Sequence, residues 1–397
     1  MGGIGIVGTG ISGLQLALYL QGAGVDTTVY APQPAGELRA GRLLNLVFRW
    51  APTVGREQEL GLDLWPEHSV GAVHVRVAGE GAPAFCGRLP AAARATDFRL
   101  YLPALLEHYE ARGGRVVVGA TDPAGLEALA RRHELVVVAA GRDGFGGVFP
   151  RHPGRSPHTG PARHVTAGLY RGIAGPEPAG PDITLVPGVG EIFLLRFHSF
   201  DGPAVALSVE AVPGGPLDRL SDLAYEADPA AFESALLALL ERFAPALARR
   251  VDRAAFGLTR PLDLLQGRLT PVVRQAVAPL AGGRAAIAIG DAWILNDPIA
   301  AQGANLGSRC AFLLGDAVLA GGPYDEAFCR RVESRLWAAA LAPTTLSNAL
   351  LEPPSEAAVA ALVEAAQDQA RADRFAAGFA DPEDMLTLLA GEPAGCH

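Results

Sequence analysis

The chain contains no lysine, so every one of its 33 fixed cationic side chains is an arginine. That excludes a Schiff-base lysine and the lysine of a P-loop. Cysteine is scarce: Cys86, Cys310, Cys329 and Cys396 are the four, and no two are spaced as a CxxC pair. Nine histidines form neither an HExxH nor an HxH. Without those spacings no metal site is expected. Charge is also thin, at 19% of residues with a net of −9, and no basic cluster is interleaved with aromatics. Nucleic-acid binding is therefore not expected. No apolar run reaches the ~18 residues that a membrane span needs. The opening Met1-Gly2-Gly3-Ile4 leads directly into a strand rather than a basic-then-apolar leader, so a cytoplasmic protein is expected.

Glycine and short apolar runs are abundant. Residues 4–8 read as a buried strand, followed by a glycine turn, a helix from about Ile11 to Gln21 and a second strand "TTVY" at 27–30. That order is a βαβ opening with a parallel sheet. "VHVRVAGEGAPAFCGRL" alternates and is broken by turn residues, which predicts a hairpin. "DFRLYLPALLEHYEARGG" places Leu102, Leu105, Leu106 and Tyr109 at helical spacing and stops at two glycines. "RVVVGA" and "LVVVAAG" read as strands buried on both faces. From about Gly160 the texture changes to three strands separated by Pro/Gly turns, an antiparallel pattern. "DPAAFESALLALLERFAPALARRV" reads as a helix capped by Asp228 with Pro229 in its first turn. The buried-strand texture returns at "RAAIAIGD", another glycine turn and helix follow, and the last 75 or so residues read as helical.

Two signatures carry the chemistry. Gly8-Thr9-Gly10-Ile11-Ser12-Gly13 is a GxGxxG between a strand and a helix. Gly8 permits the tight turn, Gly10 lets backbone approach a pyrophosphate, and Gly13 lets helix and strand touch. The acid that normally ends the second strand and accepts ribose hydroxyls is missing: Tyr30 is followed by Ala31 and Pro32. Either Glu37 or a nearby arginine substitutes, or the nucleotide is held less tightly. The second signature is Gly290-Asp291, then residues 296–305, "NDPIAAQGAN". A strand ending in Gly-Asp offers a carboxylate to a ribityl hydroxyl. The glycine turn opens a helix whose amides favour the negative end of a reduced isoalloxazine. A nicotinamide dehydrogenase needs no such second site, so the pair favours FAD. The competing reading of Asp291 is an ordinary turn aspartate.

"IGIVGTGISGL", "GRLLNLV", "DFRLYLP", "YEARGG", "DLLQG", "GDAWILNDPIAAQGAN" and "PTTLSNALLEPPSE" occur in an order and spacing that resembles the styrene monooxygenase oxygenase components and the related indole monooxygenases, over almost the whole chain. The resemblance implies an α/β fold of the FAD-containing para-hydroxybenzoate hydroxylase type. It would comprise a discontinuous FAD-binding domain (1–70, 92–155 and 276–322), an antiparallel-sheet substrate domain (71–91 and 156–275) and a helical C-terminal region (323–397). It implies reduced FAD delivered by a separate NADH-dependent flavin reductase, O2 as co-substrate, and a C4a-hydroperoxide. That species would epoxidise an electron-rich alkene or aromatic, or sulfoxidise a thioether. A homodimer is compatible with it.

By the same resemblance Arg42, Leu43 and Asn45 lie by the flavin, with Arg42, Asn45 and Pro298 nearest the reacting face. Gly8, Gly10, Ile11, Ser12 and Gly13 hold pyrophosphate, and Arg99 reaches the adenosine. Gly290 and Asp291 hold the ribityl chain, and Pro298 with Gln302, Gly303, Ala304 and Asn305 lines the ring. Arg42 as a surface arginine and Asn45 as a turn former are the plainer readings. His164 and His198 read as structural, because oxygen transfer from a hydroperoxide needs a dry apolar cavity rather than a base.

The chain departs from the family pattern at residues 46–50, at 70–73, at 341–345 ("LAPTT") and at Ala301, where the family has glycine. These segments are expected to line the substrate cavity, so a substrate other than styrene is expected. Val47, Phe197, Phe200, Ile299 and Ala300 are candidates for apolar lining, and Arg49 for an acidic group on a larger substrate. Two alternatives remain. One is a single-component NAD(P)H-dependent hydroxylase, which carries "GADG" where this chain has "AAGRDGFG". The other is a flavin-binding protein that is not an oxygenase.

Overall fold

A computed structural model describes residues 2–141 and 144–391. Arg142 and Asp143 of the "AAGRDGFG" run, and Cys396, lie outside the described residues.

The continuous apolar runs become the middle of a six-stranded sheet. Ile4–Val7 is flanked in parallel by Thr27–Ala31 and by Leu135–Val138. Arg284–Ala288 extends it in parallel beyond Leu135–Val138, and Val277–Leu280 closes that edge antiparallel. Strands covered on both faces have no polar side to alternate with, which is why they read as unbroken Val/Ile runs. Arg115–Val118 departs from that expectation. It is the opposite edge, paired only with Thr27–Ala31, and Val118 is 55% exposed. Three valines signal β-propensity, and the sheet edge decides their exposure.

Helix Ile11–Gly22 covers this sheet and meets helix Gly303–Leu319 at very short range. A Cβ on Gly307 would overlap the Ser12 hydroxyl, and one on Gly315 would overlap the Tyr19 ring. The two glycines, eight residues apart, form the groove that receives Ser12 and Tyr19. Tyr19 then donates to Asp316 Oδ1 at 2.6 Å.

The second sheet has nine strands. The hairpin Ser69–Val77 and Ala84–Ala95 joins, in parallel, the meander Pro181–Val186, Gly190–Ser199, Gly202–Ala211. Arg163–Arg171, with Leu264–Leu269 and Gly257–Leu258 paired to it, extends the sheet beyond Gly202–Ala211, and Phe48–Arg49 closes the other edge against Ala84–Ala95. Alternation splits its faces with period two. Ile192, Leu194, Leu207 and Val209 pack with Phe232, Leu236 and Leu240 of helix Pro229–Phe243. That helix ends before Pro245, which starts a short helix of its own, so the single long helix read from "FAPALA" is two. On the other face, Leu169, Ile183, Leu195 and Ala206 join a core with Phe48, Trp50 and the C-terminal Phe375 and Phe379.

The C-terminal residues form helices Glu326–Ala349, Glu356–Gln367, Gln369–Gly378 and Pro382–Ala390. Asp368 breaks the expected helical run, with extended backbone and a side chain that caps the next helix at Arg371 N. Helix Gln369–Gly378 lies directly on the hairpin. Gly87 leaves room for the Ala372 carbonyl, and Asp373 Oδ1 accepts from Arg88 N at 2.7 Å. Among the described residues, no helix is long and apolar enough to cross a membrane.

Candidate active site

The glycine turn after the first strand has a separate use for each glycine. Gly8 sits at φ +110°, and a Cβ there would overlap the Ala139 carbonyl. A Cβ on Gly13 would lie 2.6 Å from Gly8 O and 3.2 Å from Ala139 Cβ, so the strand and helix touch through it. Gly10 is different. Its backbone is extended (φ −72°, ψ 170°), its Cβ would meet nothing nearer than Ala139 O at 3.7 Å, and it faces a cavity. Helix Ile11–Gly22 starts there with no side-chain cap and no acid in its first turn. Its free amides therefore favour an anion.

The second signature folds onto the first. Gly290 adopts φ +61°, and a Cβ on it would lie 2.6 Å from Ser12 Oγ, so the two turns are pressed together. Residues 298–300 form a single helical turn that Asp297 caps, Oδ1 accepting from Ile299 N at 3.2 Å. Ala301 follows at φ +50°, a conformation that favours the glycine it replaces. Gln302 donates to the carbonyls of Ala300 and Phe379, both at 2.8 Å. Asn305 accepts from Trp50 N at 2.9 Å and Thr53 Oγ1 at 2.7 Å, and donates to Phe48 O and Ala301 O. The side chains of Gln302 and Asn305 thus brace the loop from behind, and neither residue lines the cavity.

One cavity of about 740 Å³ runs between these turns and the second sheet. Gly8, Gly10, Ile11, Ser12, Gly290 and Asp291 line one part. Asn45, Val47, Pro298, Ile299, Ala300, Gly303 and Ala304 line the middle. Beyond them the sheet supplies an apolar floor of Ala167, Ile183, Phe193, Leu195 and Leu265. A largely apolar hollow with a few convergent polar groups is the usual form of a small-molecule site.

Several candidates fall elsewhere. Arg42 is at the surface, paired with Glu226 at 2.8 Å, and does not line the cavity. Leu43 is buried in the core behind it. Arg99 is spent on Asp97 (2.6 Å) and Asp263 (2.7 Å), with Arg260 on the same Asp263. The acids fix its guanidinium behind the cavity wall. Arg49 is fully buried against Glu57, so it is not placed to meet an acidic substrate. Phe200 lies under Arg260 and Arg99 rather than in the cavity. Phe197 shares a face with Phe193 and Leu195 but packs into the core one step beyond them. Segments 70–73 and 341–345 also miss the lining. Val70 and Val73 are hairpin core, and 341–345 is interior to helix Glu326–Ala349. His164 is bound to Asp218 at 2.6 Å, and His198 stacks on His68 at 4.0 Å.

No acid replaces the missing one among the described lining residues at that end. Glu37 is exposed and lies outside the lining, which there consists of Tyr30, Pro32, Leu38, Phe98, Leu102, Ala120 and Thr121. Strand alternation turns Tyr30 and Pro32 toward the cavity, whereas Ala31 is fully buried on the other side.

Of the segment 46–50 expected in the lining, Leu46, Val47, Phe48 and Trp50 are there, whereas the sequence reading missed Phe379, Ser208 and Glu210, which also line the cavity. Phe379 arrives from the C-terminal helices and stacks on Trp50 at 5.7 Å. Glu210 stands directly opposite Glu191 in the antiparallel register. Glu191 is neutralised by a two-point pairing with Arg163 at 2.8 and 3.0 Å. Burial, reinforced by the charges of Asp297 and Glu191, pushes the Glu210 carboxyl well above the usual range, with Arg163 opposing. Asp297 is raised to about 6, chiefly by burial, against the Ile299 N–H and Arg163. Period-two alternation places Glu210 on the Ser208 face. It does not show that this face is the floor of a cavity.

Comparison with known proteins decides the family. Residues 141–250 match the model described as "Styrene monooxygenase A putative substrate binding domain". The chain is 36% identical over 388 residues to styrene monooxygenase StyA of Pseudomonas fluorescens, covering 96% of this chain and 93% of that one. The StyA of a further Pseudomonas species matches to the same extent. The chain belongs to the styrene monooxygenase family. Solved structures agree on the fold. The flavin-dependent brominase Bmp2 triple mutant superposes with a TM-score of 0.66 at 14% identity, covering 97% of this chain and 99% of that one. The tetrameric 2-methyl-3-hydroxypyridine-5-carboxylic acid oxygenase gives 0.61 at 16% identity, covering 97% and 95%. The para-hydroxybenzoate hydroxylase type of fold expected from sequence is therefore the fold of this chain.

Proposed function

We propose that this styrene monooxygenase family member is the oxygenase component of a two-component system. It receives reduced FAD from an NADH-dependent flavin reductase and uses O2 to epoxidise an electron-rich alkene or aromatic, or to sulfoxidise a thioether. The observation that carries this reading is the single cavity that joins both nucleotide turns to an apolar floor. Bound reduced FAD would supply the electrons that activate O2. The chain's own residues fit that cofactor. Gly10 leaves the space for a pyrophosphate at the uncapped helix start. Asp291 lines the same cavity and would accept from a ribityl hydroxyl, and the start of helix Gly303–Leu319, also in the lining, would favour the negative end of the reduced ring. Asn296, with its buried Nδ2 unpartnered among the described residues, would offer a hydrogen-bond donor at the same wall. Pro298, Ile299 and Ala300 with Asn45 would border the ring, and Ile183, Phe193, Leu195, Leu265 and Phe379 keep water from the reacting face. Arg42 takes no part unless it leaves Glu226.

The test is product formation. Purified protein with FAD, NADH, O2 and any NADH-dependent flavin reductase is expected to convert styrene to its epoxide and thioanisole to its sulfoxide, with no product when the reductase is omitted. NADH oxidation by the protein alone would replace this reading with a single-component hydroxylase. Reduced FAD consumed with no oxygenated product from any substrate would remove the oxygenase reading.

The absent acid on the second strand suits a flavin that must exchange with the reductase. The geometry corrects where an acid would act. Ala31→Glu buries an unpaired carboxylate and is expected to cost about 3 kcal/mol of stability or more. Pro32→Glu reaches the cavity and is expected to tighten oxidised FAD about tenfold, through a charge-assisted bond to the ribose. Fluorescence titration of FAD with thermal melts of both variants checks this. Unchanged affinity in Pro32→Glu would show that the adenosine does not lie there.

A further inference from the structure

Glu210 sits in an unusual setting. It is 4% exposed, and its Oε2 has no hydrogen-bond partner among the described residues. It lines the cavity beside the loop that begins at Asn296. On the same face of the same strand, Ser208 also lines the cavity, and both stand among Val165, Ala167, Phe193 and Leu195. A buried acid facing another across an antiparallel pair is destabilising unless something compensates it. Arg163 is already committed, its Nε and Nη2 to Glu191 and its Nη1 to the Ala162 carbonyl. Asp297, next in the loop, adds a second buried carboxyl whose Oδ2 has no hydrogen-bond partner among the described residues. Among the described residues that line the cavity there is no arginine and no histidine.

We propose that Glu210, with Ser208 beside it, recognises a basic amine, so that the natural substrate is an aromatic or alkenyl compound bearing an ammonium group. The inference rests on the oxygenase reading of this cavity. The apolar floor takes the hydrocarbon body, and the carboxylate of Glu210 accepts hydrogen bonds from the ammonium, the missing counter-charge. A plain hydrocarbon leaves Glu210 without a partner. A carboxylate substrate meets Glu210, with the buried Asp297 and Glu191 behind it and no arginine in the described lining. This reverses the expectation built on Arg49: the described lining carries the acids Glu210 and Asp291 and no arginine.

Compounds matched in size separate these cases. 4-Vinylbenzylamine and 4-vinylbenzoate are titrated calorimetrically into the full-length protein with saturating FAD, as wild type and as Glu210→Gln. The amine is expected to bind wild type at least tenfold tighter than the carboxylate, which is about 1.4 kcal/mol. In Glu210→Gln the ratio is expected to fall below threefold. Wild type that binds the two within threefold overturns the proposal, and so does a Gln variant that keeps the full preference. Because wild type alone already discriminates, misfolding of the variant cannot rescue the proposal. Styrene epoxidation is scored separately. Epoxide formed without amine preference overturns the recognition role and leaves the oxygenase reading. Amine preference with no epoxide from any alkene does the opposite.

Discussion

Arg49→Met is expected to lower the unfolding free energy by about 3–5 kcal/mol, the cost of leaving one partner of a buried ion pair alone. Arg49 and Glu57 are 0% and 1% exposed in their side chains, with Nε 2.8 Å from Oε1. The contact is a charge pairing rather than an aligned hydrogen bond, since Arg49 Nε and Nη1 lack bonded partners. The rest of the cluster compensates. The guanidinium lies 4.1 Å over the Tyr101 ring, and Arg49 Nη2 donates to Thr96 Oγ1 at 3.3 Å. Tyr101 donates to Glu57 Oε1 at 2.8 Å and accepts from Gln15 at 3.0 Å. Removing the cation leaves a carboxylate in a dry site with one phenol to hold it. Adding Glu57→Gln to Arg49→Met is expected to restore most of the loss, because the remaining groups are neutral. Denaturant titration of wild type, both single variants and the double variant reads this directly. A loss below about 1 kcal/mol, or no recovery in the double variant, would show that the pair is not what holds the cluster.

The effect would reach function through its neighbours. Phe48 and Trp50, on either side of Arg49, line the cavity, and Trp50 N and Phe48 O are the groups that Asn305 holds. Arg49 therefore anchors the wall on which the loop of residues 296–305 is braced. An activity loss in Arg49→Met is expected to be recovered by the double variant together with stability, which a substrate-binding arginine would not permit.

How much of this was legible beforehand follows from the range of each interaction. The glycine turns were legible because their constraint is local: a positive φ at Gly8, or a strand–helix contact at Gly13, admits no side chain. The core strands were legible because burial on both faces leaves a continuous apolar run. Arg115–Val118 looked the same and differs only in having no neighbour on one side, which no short window contains. The arginines were the weakest reading for the same reason. Arg42, Arg49 and Arg99 each take their place from an acid far away in sequence or across a turn: Glu226, Glu57, and Asp97 with Asp263. An arginine without its partner in view is equally a ligand or a strut. Glu210 and Phe379 lie on elements that meet the 296–305 loop only after the chain has closed on itself. A charged residue in the second half of a strand whose other face is apolar was the one available signal for Glu210.

Gly10→Val is expected to weaken FAD binding at least a hundredfold, about 2.7 kcal/mol, while leaving the fold nearly intact. The two halves of that expectation have separate causes. Nothing in the protein opposes a Cβ at Gly10 within 3.7 Å, so the main cost to the apo fold is a poorer helix cap, about 1 kcal/mol. The side chain would instead occupy the cavity beside the uncapped amides of Ile11–Gly22, where a pyrophosphate would otherwise approach the backbone. Gly8→Ala is the contrasting case. There the added methyl overlaps the Ala139 carbonyl at φ +110°, so it damages strand packing before any ligand arrives. Melting curves and FAD titrations on the two variants should therefore diverge: Gly8→Ala loses stability and binding together, and Gly10→Val loses binding alone. A Gly10→Val protein that keeps its FAD affinity would move the pyrophosphate away from this turn. It would leave Gly290-Asp291 and the start of helix Gly303–Leu319 as the anchor instead, since those turns meet the first one through Ser12 rather than through Gly10.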